Sequence, residues 1–236
     1  MLAFALFLNY YPTILKSISI LIYICYSYLC EENHENLLQN ELPKFPIDFI
    51  KKINKFRKWQ DAQLSLLGRI LLFQSIEEVF NIELSRKDVL YNEYGKPYFK
   101  RNPIHFSISH SGEIIICAIN DDSEIGIDIE KIIPINFYDF ESQISSNNWL
   151  KVISSENPQI AFYDYWTTKE AVIKAYGFGQ AVDFAFFEIS DHRATINSTP
   201  FYYKEIKIDD NYKCNIASKK PLIDSLFANI SIMKKS

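Results

Sequence analysis

Glycine is scarce in this chain, 6 of 236 residues, and there is no Ser/Gly-rich tract, which argues against long disordered linkers. The four cysteines, Cys25, Cys30, Cys117 and Cys214, form no paired framework and read as the reduced thiols of a cytoplasmic protein. Cys25, Cys30 and His34 lack the second half-site that a four-ligand structural zinc centre needs. Positive charge is not in excess: 25 Lys and Arg against 29 Asp and Glu give a formal −4, so there is no broad electrostatic case for nucleic acid. A local basic pocket fits within that balance. No G-x-S-x-G elbow surrounds Ser109 or Ser111, so a serine hydrolase has no support there. A short-period repeat is missing too.

Apolar residues are what the chain has in quantity, 48% with 15% aromatic, enough for a sizeable core in one domain or two small ones. They are densest from Met1 to Cys30. Ile14 to Cys30 approaches the length of a membrane span. Against an anchor stand Lys16, the scattered Tyr and Ser, and the lack of a clean small-residue cleavage site. Because β-branched and aromatic residues dominate Ile18 to Tyr28, the favoured reading is a buried strand over Ser19–Tyr28 behind an apolar extension, residues 1–16.

Ile47 to Phe80 reads as two helices, with Leu64, Leu67, Ile70 and Leu71 at helical spacing. Ahead of them Lys51, Lys52, Lys55, Arg57 and Lys58 form a cationic cluster, ordinarily a solvated face. Asn92 to Pro97 is a turn signature around Gly95-Lys96-Pro97. Two strands follow, His105–Ser109 and Ile114–Ile119, joined by a tight turn. After Glu130 a looser region runs to about Pro158, then a helix from about Ile160 to Tyr176, ended by Gly177. Strand-like stretches close the chain at 184–189, 201–208, 212–217 and 226–233. Each half thus offers a long helix followed by strands, which permits a pseudo-duplicated architecture.

Two segments carry chemistry. Gly126-Ile127-Asp128-Ile129-Glu130 alternates, so as a strand it sets Asp128 and Glu130 on one face. In Trp166-Thr167-Thr168-Lys169-Glu170-Ala171-Val172-Ile173-Lys174, helical spacing puts Trp166, Glu170 and Lys174 on one face. Three carboxylates and a lysine suit a hard divalent cation and a phosphorylated ligand. Taken singly, an Asp-x-Glu is often a solvated sheet face, and Glu170 with Lys174 an exposed ion pair.

In combination and order, Gly95-Lys96-Pro97, Phe106-Ser107-Ile108-Ser109-His110-Ser111, Gly126 to Glu130 and Trp166 to Lys174 resemble the 4′-phosphopantetheinyl transferases, specifically the monomeric surfactin-type (Sfp-type) branch. The resemblance covers roughly Ile18 to Ala217. It implies an α+β fold of two similar halves, residues 17–124 and 125–236, each a helix on a small antiparallel sheet, with coenzyme A in the cleft between them. A monomer follows from both halves lying in one chain.

The implied reaction moves the phosphopantetheine arm of coenzyme A onto a serine of an apo acyl carrier protein, or a peptidyl or polyketide carrier domain, and releases adenosine 3′,5′-bisphosphate. By the same resemblance Asp128, Glu130 and Glu170 would hold Mg²⁺, or Mn²⁺. Glu170 would serve as general base, directly or through a metal-bound water, and Lys174 would neutralise the leaving phosphate. Ser109, His110, Lys96, Asp128 and Lys174 would contact coenzyme A. The carrier would dock on the second half near Ala175 to Ile189, where Phe178, Phe184, Phe186 and Phe187 are either docking contacts or core. The sequence departs from the family pattern at Leu64, where relatives often place an arginine for the coenzyme A 3′-phosphate. Lys52 and Arg57, with Lys55 and Arg69, are the substitutes. The segment before Ser17 has no counterpart. The alternatives are a catalytically silent carrier-protein or nucleotide-binding module of the same fold, and a phosphohydrolase of coenzyme A.

Overall fold

The computed structural model describes residues 22–100, 103–179, 187–222 and 228–231. The apolar segment ahead of Ile22, with the expected strand start at Ser19, lies outside them, as do Phe184 and Phe186.

In chain order the first half is β1 (Ile22–Tyr28), α1 (His34–Asn40), α2 (Ile47–Ile53), α3 (Trp59–Phe80), a hairpin of β2 (Val89–Tyr91) and β3 (Pro97–Phe99), then β4 (His105–Ser111) and β5 (Ile114–Asn120). The second is β6 (Ile125–Lys131), α4 (Ser146–Ile153), α5 (Pro158–Tyr176), β7 (Ile189–Ser190), β8 (Arg193–Ile196), β9 (Thr199–Glu205) and β10 (Tyr212–Ser218). β11 (Ala228–Ser231) follows. The sheets run β11-β1-β5-β4 and β6-β10-β9-β8-β7. Chain order and sheet membership part company at the end: β11, beyond the 124/125 division, pairs parallel with β1 of the first sheet.

Strand β5, Ile-Ile-Ile-Cys-Ala-Ile-Asn, is buried along its whole length because it has apolar neighbours on both faces. Ile115, Cys117 and Ile119 face α3, whose Leu67, Ile70 and Leu71 complete that core. On the opposite face Ile114 and Ile116 meet Ile125, Ile127 and Ile129 of β6. A third cluster lies between α5 and the far face of the second sheet. The molecule is therefore layered helix, sheet, sheet, helix, an α+β fold of two similar halves. Each fully buried Ile contributes about 1.5–3 kcal/mol, so the inter-sheet layer is a main source of cohesion.

Both long helices are specified locally. In α3 there is no proline over 22 residues, and Asn81 ends it in the left-handed region (φ 52°). Helix α5 begins two residues before the expected Ile160: the Asn157 side chain accepts from Ile160 N at 3.1 Å and Pro158 takes the first helical position. Gly177 (φ 93°) closes it with N–H to Ile173 O at 2.9 Å. Gly126 then sets the distance between layers. A Cβ there would collide with Ala171 O and Ala175 N, so only glycine lets α5 lie directly on β6. That contact carries Glu170 and Lys174 to the face bearing Asp128 and Glu130.

Candidate active site

The site forms where the two sheets meet. β4 and β6 do not pair through their backbones; the partners of β4 and β6 are β5 and β10. Instead the odd-numbered serines of β4 accept from the free backbone N–H groups of β6: Ile127 N to Ser107 Oγ at 3.1 Å, Ile129 N to Ser109 Oγ at 3.4 Å, Lys131 N to Ser111 Oγ at 3.1 Å. A buried N–H left without a partner costs about 1–3 kcal/mol, so the ladder satisfies what would otherwise be an edge. In the sequence it is visible only as serine at alternate positions, and β4 runs two residues past the expected end at Ser109.

Each of the last two serines also turns its proton on a carboxylate. Ser109 Oγ donates to Asp128 Oδ1 at 2.8 Å, and Ser111 Oγ to Glu130 Oε2 at 2.6 Å. Lys174 reaches across from α5, with Nζ 2.6 Å from Asp128 Oδ1, 2.9 Å from Ser109 Oγ and 3.2 Å from Ile127 O. This corrects the alternative of an exposed Glu170–Lys174 pair: the ammonium bonds the strand carboxylate, which is only 6% exposed. Asp128 Oδ2 is buried and has no hydrogen-bond partner.

Glu130 and Glu170 complete the acidic face. The carboxyl of Glu170 is raised by burial, then by the charge of Asp128, with Lys174 opposing and Glu130 adding to the rise. For Glu130 burial again comes first, with Ser111 and Lys174 opposing and Asp128 adding. The three carboxylates therefore feel one another as like charges in a partly desolvated place. As they stand, no three His, Cys, Asp or Glu side chains among the described residues converge tightly enough to cage an ion. The contacts explain it: Lys174 occupies one oxygen of Asp128 and Ser111 turns Glu130 toward β4. The donor chemistry, hard carboxylate oxygens with one buried oxygen unpartnered, suits a divalent cation.

His110 lies at the end of β4, its pKa lowered by partial desolvation and then by the charge of Lys174, with Asp61 opposing and Lys52 adding. Arg57, exposed in the α2–α3 connection, is not joined to the site by a hydrogen bond or ion pair. Lys96 and Lys174 line one cavity of about 210 Å³ between the halves, with Tyr94 and Ser107 on one side and Gly177 on the other. Lys96 Nζ is 2.5 Å from Glu124 Oε2, and burial lowers its pKa despite that partner. Lys169 of α5 does not face the site. It is fully buried, donates to Phe187 O, and its ammonium stands 3.6 Å from the centroid of the Phe187 ring. Trp166 packs on Phe140 and Phe162 at 5.2 and 5.7 Å between ring centroids, a packing role. Phe187 is core, 4% exposed, whereas Phe178 is exposed and stacks on Tyr94 and Tyr176.

Fold and site define a class: a two-half α+β transferase whose acidic strand and lysine-bearing helix face each other beside an inter-half cleft. Comparison with known proteins gives the family. The profile of the 4′-phosphopantetheinyl transferase superfamily matches residues 124–217, and that of the N-terminal part of 4′-phosphopantetheinyl transferase matches residues 46–121. The chain is 33% identical over 196 residues to 4′-phosphopantetheinyl transferase gsp of Aneurinibacillus migulanus, covering 79% of this chain and 78% of that one. It is 31% identical over 181 residues to 4′-phosphopantetheinyl transferase Sfp of Bacillus subtilis (72% and 80%). With the L-aminoadipate-semialdehyde dehydrogenase-phosphopantetheinyl transferase of Mus musculus it shares 25% over 203 residues (72% and 66%). The chain belongs to the 4′-phosphopantetheinyl transferase superfamily, in its Sfp-type branch, and is an enzyme of that kind. No helix among the described residues is long and apolar enough to cross a membrane.

Proposed function

We propose that the protein transfers 4′-phosphopantetheine from coenzyme A to a serine of an apo acyl, peptidyl or polyketide carrier protein and releases adenosine 3′,5′-bisphosphate. The observation that carries the reading is the Lys174–Asp128–Ser109 constellation, a cation and an acidic strand held at one end of a cleft between the halves. Coenzyme A would lie in that cleft, its phosphates near Lys174, Ser109 and His110 and its nucleotide toward Lys96, with Lys52 available to the 3′-phosphate. The exposed Phe178 suits the carrier-docking side. Both halves are in one chain, so the cleft needs no second copy, which supports a monomer; a cytoplasmic enzyme is part of the same proposal.

Chemically, the carrier serine oxygen attacks the phosphorus that bears pantetheine, and the bond from that phosphorus to the bridging oxygen breaks. Electrons leave with the adenosine bisphosphate. Glu170, its pKa raised by burial and like charges, is suited to take the serine proton. Lys174, one helical turn on, is placed to neutralise the departing phosphate. Asp128, Glu130 and Glu170 would hold Mg²⁺ or Mn²⁺, which supplies Lewis-acid polarisation of the pyrophosphate oxygens when bound.

The test is incubation with coenzyme A, Mg²⁺ and an apo-carrier, followed by mass spectrometry of the carrier. A carrier heavier by one phosphopantetheine is expected. An unmodified carrier with coenzyme A intact would leave a silent module, and cleavage of coenzyme A without a heavier carrier would mean a phosphohydrolase.

A further inference from the structure

Glu124 lies in the connection from β5 to β6, and no step of the proposed transfer uses it. Its carboxylate is shared by two donors. Lys96 Nζ donates to Oε2 at 2.5 Å, and His105 Nδ1 to Oε1 at 3.1 Å. The Lys96 side chain is only 17% exposed, and among the described residues Glu124 is the one acceptor of its ammonium.

Lys96 is held at both ends. Asn92 Oδ1 accepts from Lys96 N at 2.8 Å and Asn92 Nδ2 donates to Gly177 O at 2.9 Å, which ties the Gly95-Lys96-Pro97 turn to the end of α5. With the backbone fixed, Glu124 decides where the ammonium stands. An ammonium has three donors, so one spent on Glu124 leaves two for a ligand. Lys96 lines both the 210 Å³ cavity that holds Lys174 and a neighbouring one of about 370 Å³; Glu124 and His105 line only the second. Glu124 therefore reaches the Lys174 cavity through Lys96 and not directly. Burial pushes the Lys96 pKa down and the Glu124 charge opposes it. Without that partner the flexible stem would lose its orientation and the ammonium its counter-charge. Because the two charges offset each other, the pair presents donors to a phosphorylated ligand with no net negative charge.

We propose that Glu124 is a positioning residue for coenzyme A, holding the Lys96 ammonium at the nucleotide end of the cleft and acting on the ligand through Lys96 alone. The assignment rests on the proposed function, in which the nucleotide lies toward Lys96. The probes are coenzyme A and adenosine 3′,5′-bisphosphate, titrated calorimetrically into the full chain without carrier. Lys96→Ala should weaken both about tenfold, the scale of one charge-assisted contact. Glu124→Gln should weaken both by roughly threefold or more. In the Lys96→Ala background the Glu124→Gln change should weaken neither further, whereas a general structural role would add to the loss. Thermal unfolding shows that each variant is folded at the titration temperature. Glu124→Asp, which keeps the charge and shortens the reach, should fall between wild type and Glu124→Gln. Unchanged or tighter binding in Glu124→Gln, or an equal loss with and without Lys96, would overturn the proposal. Unchanged binding in Lys96→Ala would overturn it together with the placement of the nucleotide. Carrier modification by the wild type is scored separately, so a failure of the transfer reading and a failure of this assignment are told apart.

Discussion

Lys174 Nζ lies 2.6 Å from Asp128 Oδ1, joining the C-terminal turn of α5 to the middle of β6. Asp128 is nearly buried and Lys174 is part-exposed, so the pair contributes to stability as well as standing at the proposed site of chemistry. Breaking such a pair from one side leaves a desolvated charge, at a cost on the order of 3 kcal/mol. Lys174→Ala should therefore lower stability in denaturant titration as well as turnover, the latter by roughly a hundredfold. Adding Asp128→Asn should restore much of the stability and none of the activity. A single Lys174→Ala change that leaves stability untouched would contradict the pairing.

The Ser111 hydroxyl holds Glu130 and caps Lys131 N–H at once. Ser111→Ala should release the carboxylate from β4 and strengthen Mn²⁺ affinity, read by electron paramagnetic resonance titration, by several-fold. Ser111→Thr keeps the hydroxyl and should retain affinity. Equal Mn²⁺ affinity in all three proteins would show that the ladder does not position Glu130.

A pH dependence follows from Glu124. Burial pushes its carboxyl up, but the His105 hydrogen bond and the Lys96 ammonium outweigh it and bring it down to about 2. A depressed folded-state pKa means stability that is present above the unfolded value and lost as pH falls through the folded one. The gap in thermal midpoint between wild type and Glu124→Gln should thus be largest above about pH 4.5, near the unpaired Glu value, and close toward pH 2. A gap that is constant with pH would mean that Glu124 is not held ionised by its partners.

Strand β1 lies inside the first sheet, between β5 and β11. A chain starting at Glu31 loses it and exposes the β5 edge, so it should be insoluble or misfolded by circular dichroism. A start near Ser17 should fold and be active. A well-folded, active protein beginning at Glu31 would support the membrane-anchor reading instead.

Much of this was legible in the residues. Apolar residues at helical spacing revealed α3, the spacing of Trp166, Glu170 and Lys174 with the Gly177 stop revealed α5, and alternation put Asp128 with Glu130. Three-residue strands such as β2 and β3 are too short for a period, so only the turn between them could be read. Helix α4 lies inside the stretch expected to be loose, although the Ser145 cap and the helical spacing of Trp149, Val152 and Ile153 both mark it. The return of β11 to the first sheet and the bond from Lys174 to Asp128 are tertiary facts. Local spacing favoured Glu170, four residues away, because the packing that brings β6 under α5 depends on Gly126 having no side chain.

This acidic strand and lysine-bearing helix are proposed to move phosphopantetheine onto a carrier serine. The most direct measurement is the mass of an apo-carrier after incubation with coenzyme A and Mg²⁺, with wild-type protein and Asp128→Asn side by side. Conversion by wild type, abolished by chelator and by the substitution in a protein that still folds, is the predicted result. Conversion by Asp128→Asn at the wild-type rate, or in excess chelator, would contradict the account.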